Sequence, residues 1–597
     1  MEKISLILLT AFVFLSSGCS TSAPMKKEEE NKADLRNYEK EIDQLLNSAN
    51  SSQIENPDII KLRAANIASK AKDYETVGRI LTIIKDPSKN DGIRLNYSIL
   101  KAEKALYDKE PAKAITILKG LSEIEGGEIT IAKLKAKAYE LIGSHIASAR
   151  ELISINSLLP APSRKSNQEA ILSRLLFKDN DSLIQAANES ISFEIRGWIL
   201  LASLVKRYED DLLEQKNAFD TWRKNWPKHP ASLDPPKRLQ LLTEMMDKAP
   251  KNIALILPLS GNFAKFGEAI RDGFITAHYE STGNKKIKIY DSSSDDIMNL
   301  VNRAIINGAE IIVGPLAREK VKELSRNDLP TRVLALNRTD NKRKNSKLYQ
   351  FGLAPEDESI QVATKTFNSG YRRALVIAPQ TEWGDRNYRA FTKKFEELGG
   401  EIADSARFTT QKDYSSLVKS IFQIGYSEER SKTISRLIGE KLEFKARRRK
   451  DIDFVFLLAS TTQARGINPT LSFFYGEDLP VYSTSNVNQN REDRLRNIDL
   501  NGIYFCEMPW KLSETNKLQL KIMESWPEKS ATLTAFFALG ADAHKVIQRL
   551  TQLEEFPDER IAGGSGILEM NENKVITRTL FWANFENAKI KTSYTIE

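Results

Sequence analysis

From residue 253 onward, short apolar runs alternate with amphipathic stretches, and the alternation is played through twice. The first series runs 253–257 (IALIL) before 266–279, 287–290 before 297–307, 311–313 (IIV) before 318–324, and then 333–336 (VLAL). The second begins at 374–378 (ALVIA) before 388–398, continues through Ile402 and 414–424, and reaches 454–458 (FVFLL) and 481–482. Apolar strands of this length, each followed by an amphipathic helix, need a connection that returns to the same sheet edge. The pattern therefore predicts parallel, doubly wound sheets. Two series predict two α/β lobes with the chain crossing between them and a cleft where they face.

The preceding half has no such alternation. Residues 35–248 read as helical, and three segments align without gaps: 73–81 (DYETVGRIL), 110–118 (EPAKAITIL) and 144–152 (SHIASAREL). Their starts lie 37 and then 34 residues apart (73, 110, 144), near the tetratricopeptide period. Each follows a stretch with small residues at interfacial spacing: Ala65 and Ala68, Ala102 and Ala105, then Ala132, Ala136 and Ala138. A fourth unit, 197–226, closes on Trp222, Trp226 and Pro227. These repeats are similar to the tetratricopeptide family without carrying its full consensus; the other reading is an irregular all-α bundle. Either gives a scaffold for contact with proteins and no chemistry. Residues 226–236 hold four prolines in eleven positions and mark a joint, followed by one more short helix over 237–247.

At the other end, Lys3 precedes the apolar run 4–15, too short for a membrane span of about 20 residues but suited to a signal peptide. The sequence that follows, Leu15-Ser16-Ser17-Gly18-Cys19, resembles a bacterial lipobox. The resemblance implies removal of residues 1–18 and acylation of Cys19 on its sulfur and its new amino terminus; several acyl chains hold a membrane stably where one is marginal. Ser20 rather than Asp after the cysteine implies the outer membrane. Residues 19–34 then form a charged, flexible tether.

Composition excludes several functions. A net charge of +8 over 597 residues points to no nucleic acid. Two distant cysteines and four scattered histidines (145, 229, 278, 544) offer no metal set, and no nucleophile elbow, Walker loop or dinucleotide fingerprint is present. The reading is non-enzymatic, with no cofactor and a monomeric chain.

The 253–261 stretch with Gly267, Ile311-Ile-Val-Gly-Pro315, and 374–379 with Trp383-Gly384 resemble type I periplasmic binding proteins over residues 251–597. That likeness makes Ser260, Gly261, Gly314, Pro315, Asn337, Trp383 and Gly384 the candidate cleft residues, at strand ends where open sheets place ligands. Turn formation and packing are the competing account, favoured because Arg318 and Glu319 stand where amino-acid receptors carry small hydroxyl residues. A narrower resemblance rests on 442–459 (LEFKARRRKDIDFVFLLA), Gln463-Ala-Arg465 and Leu479-Pro-Val-Tyr482. These resemble the LpoA family of outer-membrane lipoprotein activators of class A penicillin-binding proteins, which joins an acylated cysteine, a tetratricopeptide-like domain and a binding-protein-like domain in the order seen here. The resemblance implies a regulator that reaches from the outer membrane to an inner-membrane peptidoglycan synthase. A tethered receptor for an amino acid or peptide is the alternative. In the basic run 445–450, Arg447, Arg448 and Arg449 are candidates for partner contact, since guanidinium pairs bidentately with carboxylates; a solvated charge run is the equal alternative.

Overall fold

The computed structural model describes residues 38–593 apart from 50–55, 85–86, 88–89, 122–123, 210, 282–284, 340–344, 410–412, 441–442, 489–495 and 514–515. The chain forms two compact units: one runs through Arg207 and includes Phe219–Lys237, and the other comprises Tyr208–Ala218 and Arg238–Glu597.

The first unit is a series of helix pairs. Pro57–Lys70 pairs with Tyr74–Thr82, Asp91–Tyr107 with Pro111–Lys119, and Glu128–Leu141 with His145–Ser154, so each of the three like segments is the second helix of a pair. All seven alanines noted in the first helices are buried. A methyl group at these positions lets neighbouring helices approach closely. Every pair turns at the same point of the repeat. Lys72, Lys109 and Gly143 take φ of 61°, 60° and 71°. The next amide then reaches back five residues, Asp73 to the Ala68 carbonyl, Glu110 to Ala105 and Ser144 to Tyr139. This is the Schellman closure of a helix, in which glycine is favoured because it has no Cβ to clash. Two of the three turns carry lysine instead. Replacing Lys109 by Gly removes a left-handed strain of roughly 1–2 kcal/mol against an entropic cost of about 0.5–1 kcal/mol. The variant is expected to gain up to about 1.5 kcal/mol in urea titration.

Two further helices lie between the third repeat and the 197–226 segment that the sequence reading counts as the fourth: Ala161–Leu176, which packs on His145–Ser154, and Asn180–Glu189, which packs on Phe193–Arg207. The apolar period of Ala161–Leu176 is masked by polar residues in buried positions. Asn167 is buried and donates to the Leu152 carbonyl (2.9 Å) and to Asn156 Oδ1 (3.1 Å), so satisfied amides fill core positions there.

The second unit carries two sheets. In chain order the first lobe supplies β1 (Asn252–Leu257), β2 (Lys286–Asp291), β3 (Ile311–Val313), β4 (Arg332–Ala335) and β5 (Leu348–Phe351). The second lobe supplies β6 (Arg373–Pro379), β7 (Glu401–Phe408), β8 (Phe454–Leu457), β9 (Val481–Ser483) and β10 (Ile503–Glu507). The chain then returns for β11 (Ile561–Ala562), β12 (Ile567–Met570) and β13 (Val575–Thr579) in the first lobe, and ends with β14 (Phe581–Glu586) and β15 (Lys589–Ser593) in the second. The sheet orders are β11-β12-β13-β5-β4-β3-β1-β2 and β15-β14-β10-β9-β8-β6-β7.

Strands β1 to β5 and β6 to β10 pair in parallel as the alternation requires, with β1, β3 and β8 apolar and buried on both faces. The sheets are mixed, however. β11–β12, β12–β13, β10–β14 and β14–β15 are antiparallel. Their half-buried strands join through tight turns such as Asn587-Ala588, both at positive φ, so they lack the continuous apolar runs that mark the parallel strands.

The chain passes between lobes three times: through the helix Pro355–Asn368, through the long helix Pro527–Glu555, and directly at Leu580. Gln361 of the first crossing brackets the third, accepting from the Leu580 amide (2.9 Å) and donating to its carbonyl (2.6 Å). The long helix packs on Ala264–Glu280. Where they cross, a Cβ on Gly540 would stand 2.0 Å from the Ile270 carbonyl oxygen, and one on Gly273 would stand 2.2 Å from that of Phe537.

The short helices Lys237–Gln240 and Leu242–Lys248, placed by the sequence reading at the end of the helical half, belong to this unit. Arg238 is buried and pairs with Glu559 (2.9 Å) and Asp558 (3.2 Å), while Leu239, Leu242 and Met245 are buried beside it.

Candidate functional site

The cleft candidates sit at the carboxyl ends of the parallel strands, and the structure shows what each does. After β1, Ser260 donates through Oγ to Asp291 Oδ2 (2.9 Å). Asp291, at the end of β2, also accepts from the Leu259 amide (2.9 Å), the Ser293 amide (2.9 Å) and Ser293 Oγ (2.6 Å). Burial works to raise the pKa of this carboxyl, but the donations from Ser293, Leu259 and Ser260 outweigh it and bring it down to about 2. A carboxylate of the chain itself thus holds the loop donors that could receive an anionic ligand. Asp291 escaped the sequence reading because nothing in its neighbourhood distinguishes it from any other strand-end aspartate.

The other cleft positions are structural in the same sense. Gly261 takes φ of 69° at the turn after β1. Gly314 takes φ of 106°, and a Cβ there would lie 1.9 Å from the Ile256 carbonyl oxygen, so only glycine lets β3 end against β1. The Pro315 carbonyl accepts from the Leu336 amide (3.0 Å), tying the ends of β3 and β4 together. Asn337 donates to the Leu316 carbonyl (2.9 Å) and accepts from the Arg338 amide (2.9 Å). Trp383 packs partly buried against the second-lobe core, and its carbonyl accepts from Asn387 (2.9 Å). The Gly384 amide donates to Thr381 Oγ1 (3.1 Å), the N-cap of Glu382–Glu397, and a Cβ on Gly384 would stand 2.2 Å from the Pro379 carbonyl oxygen. The polar side chains of Ser260 and Asn337 thus orient loops instead of projecting unengaged groups toward a ligand.

The arginine run divides. Arg448 is buried, chelates Asp478 through Nη2 (2.6 Å to each oxygen), and donates to the carbonyls of Tyr475 (3.0 Å) and Arg449 (2.7 Å). Arg449 reaches Asp404 on β7 (2.6 Å) and grips Asp451 through Nε (2.8 Å) and Nη2 (2.7 Å). The Arg449 hydrogen bond holds the Asp451 carboxyl down to about 2 against its burial. Two of the three guanidinium groups therefore staple the 443–452 segment to the lobe. Arg447 is exposed, and its amide donates to Ser427 Oγ (3.1 Å). Which arginine turns inward is not legible in the run, because Asp404 and Asp478 lie 45 and 30 residues away from their partners in sequence.

A separate cavity of about 650 Å³ opens in the second lobe beside Trp510, Lys511, Gln519, Ile522 and Lys589. Several of its polar groups are engaged with the chain: Asn488 donates to Glu507 (3.0 Å), Asn497 accepts from Arg465 (2.7 Å), Thr534 donates to the Ser530 carbonyl (2.5 Å), and Gln519 donates to the Trp510 carbonyl (2.5 Å), while the buried Gln519 Oε1 has no hydrogen-bond partner among the described residues.

The family model described as "LppC putative lipoprotein" matches residues 36–588, nearly the whole chain. The chain belongs to the LppC family. Relatives of this LppC chain include the penicillin-binding protein activator LpoA of Photobacterium profundum, 28% identical over 460 residues that cover 76% of this chain and 75% of that one. The LpoA of Vibrio cholerae is 28% identical over 463 residues, covering 76% of each. Among solved structures, Haemophilus influenzae LpoA aligns at TM-score 0.58 and 22% identity over 93% of this chain and 98% of that one, a likeness of fold. That alignment runs through both the helical unit and the two-sheet unit, in the order that the sequence resemblance implies. Cys19, the signal segment 1–18 and the tether 19–34 lie outside the described residues. Among the described residues, no helix is long and apolar enough to cross a membrane.

Proposed function

We propose that this chain is a non-enzymatic regulator of peptidoglycan synthesis, held at the periplasmic face of the outer membrane through acylated Cys19, that binds and activates a class A penicillin-binding protein. The observation that carries this reading is the match of the LppC family across residues 36–588, with relatives named as penicillin-binding protein activators along three quarters of the chain. The state of the cleft supports it. A receptor needs convergent polar groups left open for its ligand, whereas Ser260, Asn337 and the β1 loop amides serve Asp291 and neighbouring loops. The fold then contributes surface and shape instead of a ligand site.

Activation requires no chemistry from the activator. The synthase exchanges between a less active and a more active conformation, and a protein that prefers the second shifts the population by its differential affinity. A tenfold preference corresponds to about 1.4 kcal/mol, within reach of a modest protein interface. The helical half adds reach and the lipid fixes the origin.

Affinity titration of the detergent-solubilised lipoprotein against its cognate class A penicillin-binding protein tests the proposal. Saturable binding is the expected outcome. No binding, together with a heat-stability shift of the chain by a free amino acid or short peptide, would return the cleft to the role of receptor.

A further inference from the structure

The helix Ile424–Ile438 is anomalous for a helix of a folded lobe. Gln423 turns it outward in a left-handed conformation (φ 55°), Gly439 ends it in another (φ 77°), and of its fifteen residues only Ile424 and Ser427 are buried. Beyond Ser427 none is buried. An unsupported helix of this length is marginal in water, so its outer turns lack the packing that normally stabilises one. The exposed side chains are nevertheless large and apolar: Tyr426 (74% exposed), Ile434, Leu437 (81%) and Ile438. Positions 426, 430, 434 and 437 share one helical face.

The stripe continues onto neighbouring segments. The Arg447 amide docks on Ser427, Lys445 lies 5.6 Å over the Tyr475 ring, and Arg448 binds the Tyr475 carbonyl, so the 443–450 segment and the 473–476 turn sit against one another beside the start of the helix. There Phe444 and Phe473 (77%) are exposed as well. Among the described residues of 429–447, exposed cations outnumber exposed anions: Arg430, Lys432, Arg436, Lys445 and Arg447 against Glu429, Glu440 and Glu443. Aromatic and aliphatic anchors with a basic rim are the make-up of a protein-docking surface, and this one calls for an acidic rim around apolar pockets on its partner.

We infer that this second-lobe surface, formed by the helix Ile424–Ile438 with Lys445, Arg447 and the Phe473–Tyr475 turn, is where the chain docks on the synthase. The inference rests on the activator reading above and adds the lobe, the residues and the charge of the partner's face. It also assigns Arg447, and not Arg448 or Arg449, as the arginine of the run that meets the partner.

The test compares binding to the purified class A penicillin-binding protein by the full lipoprotein, by Leu437→Asp combined with Arg447→Glu, and by a control pair, Lys517→Glu with Leu520→Asp, both also exposed, on the helix Lys517–Ser525. The first pair is expected to weaken binding at least tenfold at unchanged melting temperature and to flatten its salt dependence, with the control indistinguishable from wild type. Amide exchange over 429–438 is expected to be fast in the free chain and slowed by the synthase. If wild type binds and the Leu437/Arg447 variant binds equally well, or 429–438 exchanges equally fast in the complex, the surface assignment is overturned and the activator reading stands. If wild type does not bind, both fall.

Discussion

Replacing Gly540 by Ala is expected to destabilise the α/β unit by about 3 kcal/mol, the upper end of the usual cost of overpacking. The added carbon would meet backbone, not a side chain that can swing away: 2.0 Å to the Ile270 carbonyl oxygen and 2.9 Å to the Phe274 nitrogen. Two helices, Ala264–Glu280 and Pro527–Glu555, would have to separate, and with them the buried contacts of Ile270 and Phe274 against Leu539 and Ala543. Gly273→Ala strains the same crossing from the other side, so the two effects should fall well short of additive. Gly425→Ala is the control, because a Cβ there has nothing within 4 Å. Thermal melts should show a loss of about 5 °C for Gly540→Ala and little change for Gly425→Ala. Equal melting of Gly540→Ala and wild type would mean that the helices do not cross at this contact.

The second large effect is on pH. His229 is fully buried among Trp198, Trp222 and Trp226, with ring centroids 5.2, 5.0 and 6.1 Å away. Its Nδ1 accepts from the Ala231 amide (3.2 Å), which leaves Nε2 to donate to the Glu194 carbonyl (3.0 Å). A second proton would have to sit on Nδ1, facing an N–H. Burial is the main cause that lowers the pKa, from 6.5 to about 4, partly opposed by the bond to Glu194. A group whose folded pKa is depressed contributes fully above its unfolded pKa and loses that contribution as pH falls toward the folded one. Stability of the helical unit should therefore decline between pH 6.5 and 4, by about 3 kcal/mol from this group alone. His229→Gln is expected to flatten that dependence relative to wild type in denaturant titrations at pH 7, 5.5 and 4. Parallel curves for the two proteins would contradict the assignment. Gly197 belongs to the same arrangement, since a Cβ there would press 2.5 Å from the His229 ring.

How much of this was legible in the sequence follows from what each segment buries. β1, β3, β6 and β8 are apolar on both faces, so their runs stand out, and the repeats announce themselves because Ala65, Ala102 and Ala138 recur where helices touch. β11 to β15 do not, because a strand with one wet face and a short hairpin resembles a loop. The helix Ala161–Leu176 is hidden by polar residues such as Asn167, which occupies a core position through hydrogen bonds made by folding. At the cleft the glycines and Asn337 were visible as positions, but their engagement was not. Whether Ser260 is open to a ligand depends on Asp291, 31 residues further on, and composition says nothing of that pairing. The arginine run shows the same limit, since burial of Arg448 and exposure of Arg447 are decided by Asp478 and Ser427.

The most direct measurement of the central claim follows glycan-strand polymerisation and peptide crosslinking together, in a purified class A penicillin-binding protein titrated with this lipoprotein. The account predicts a saturable rise in synthesis that a cleft substitution such as Ser260→Ala leaves intact and the Leu437→Asp, Arg447→Glu pair diminishes. Unchanged synthesis at saturating, demonstrably bound lipoprotein would contradict it.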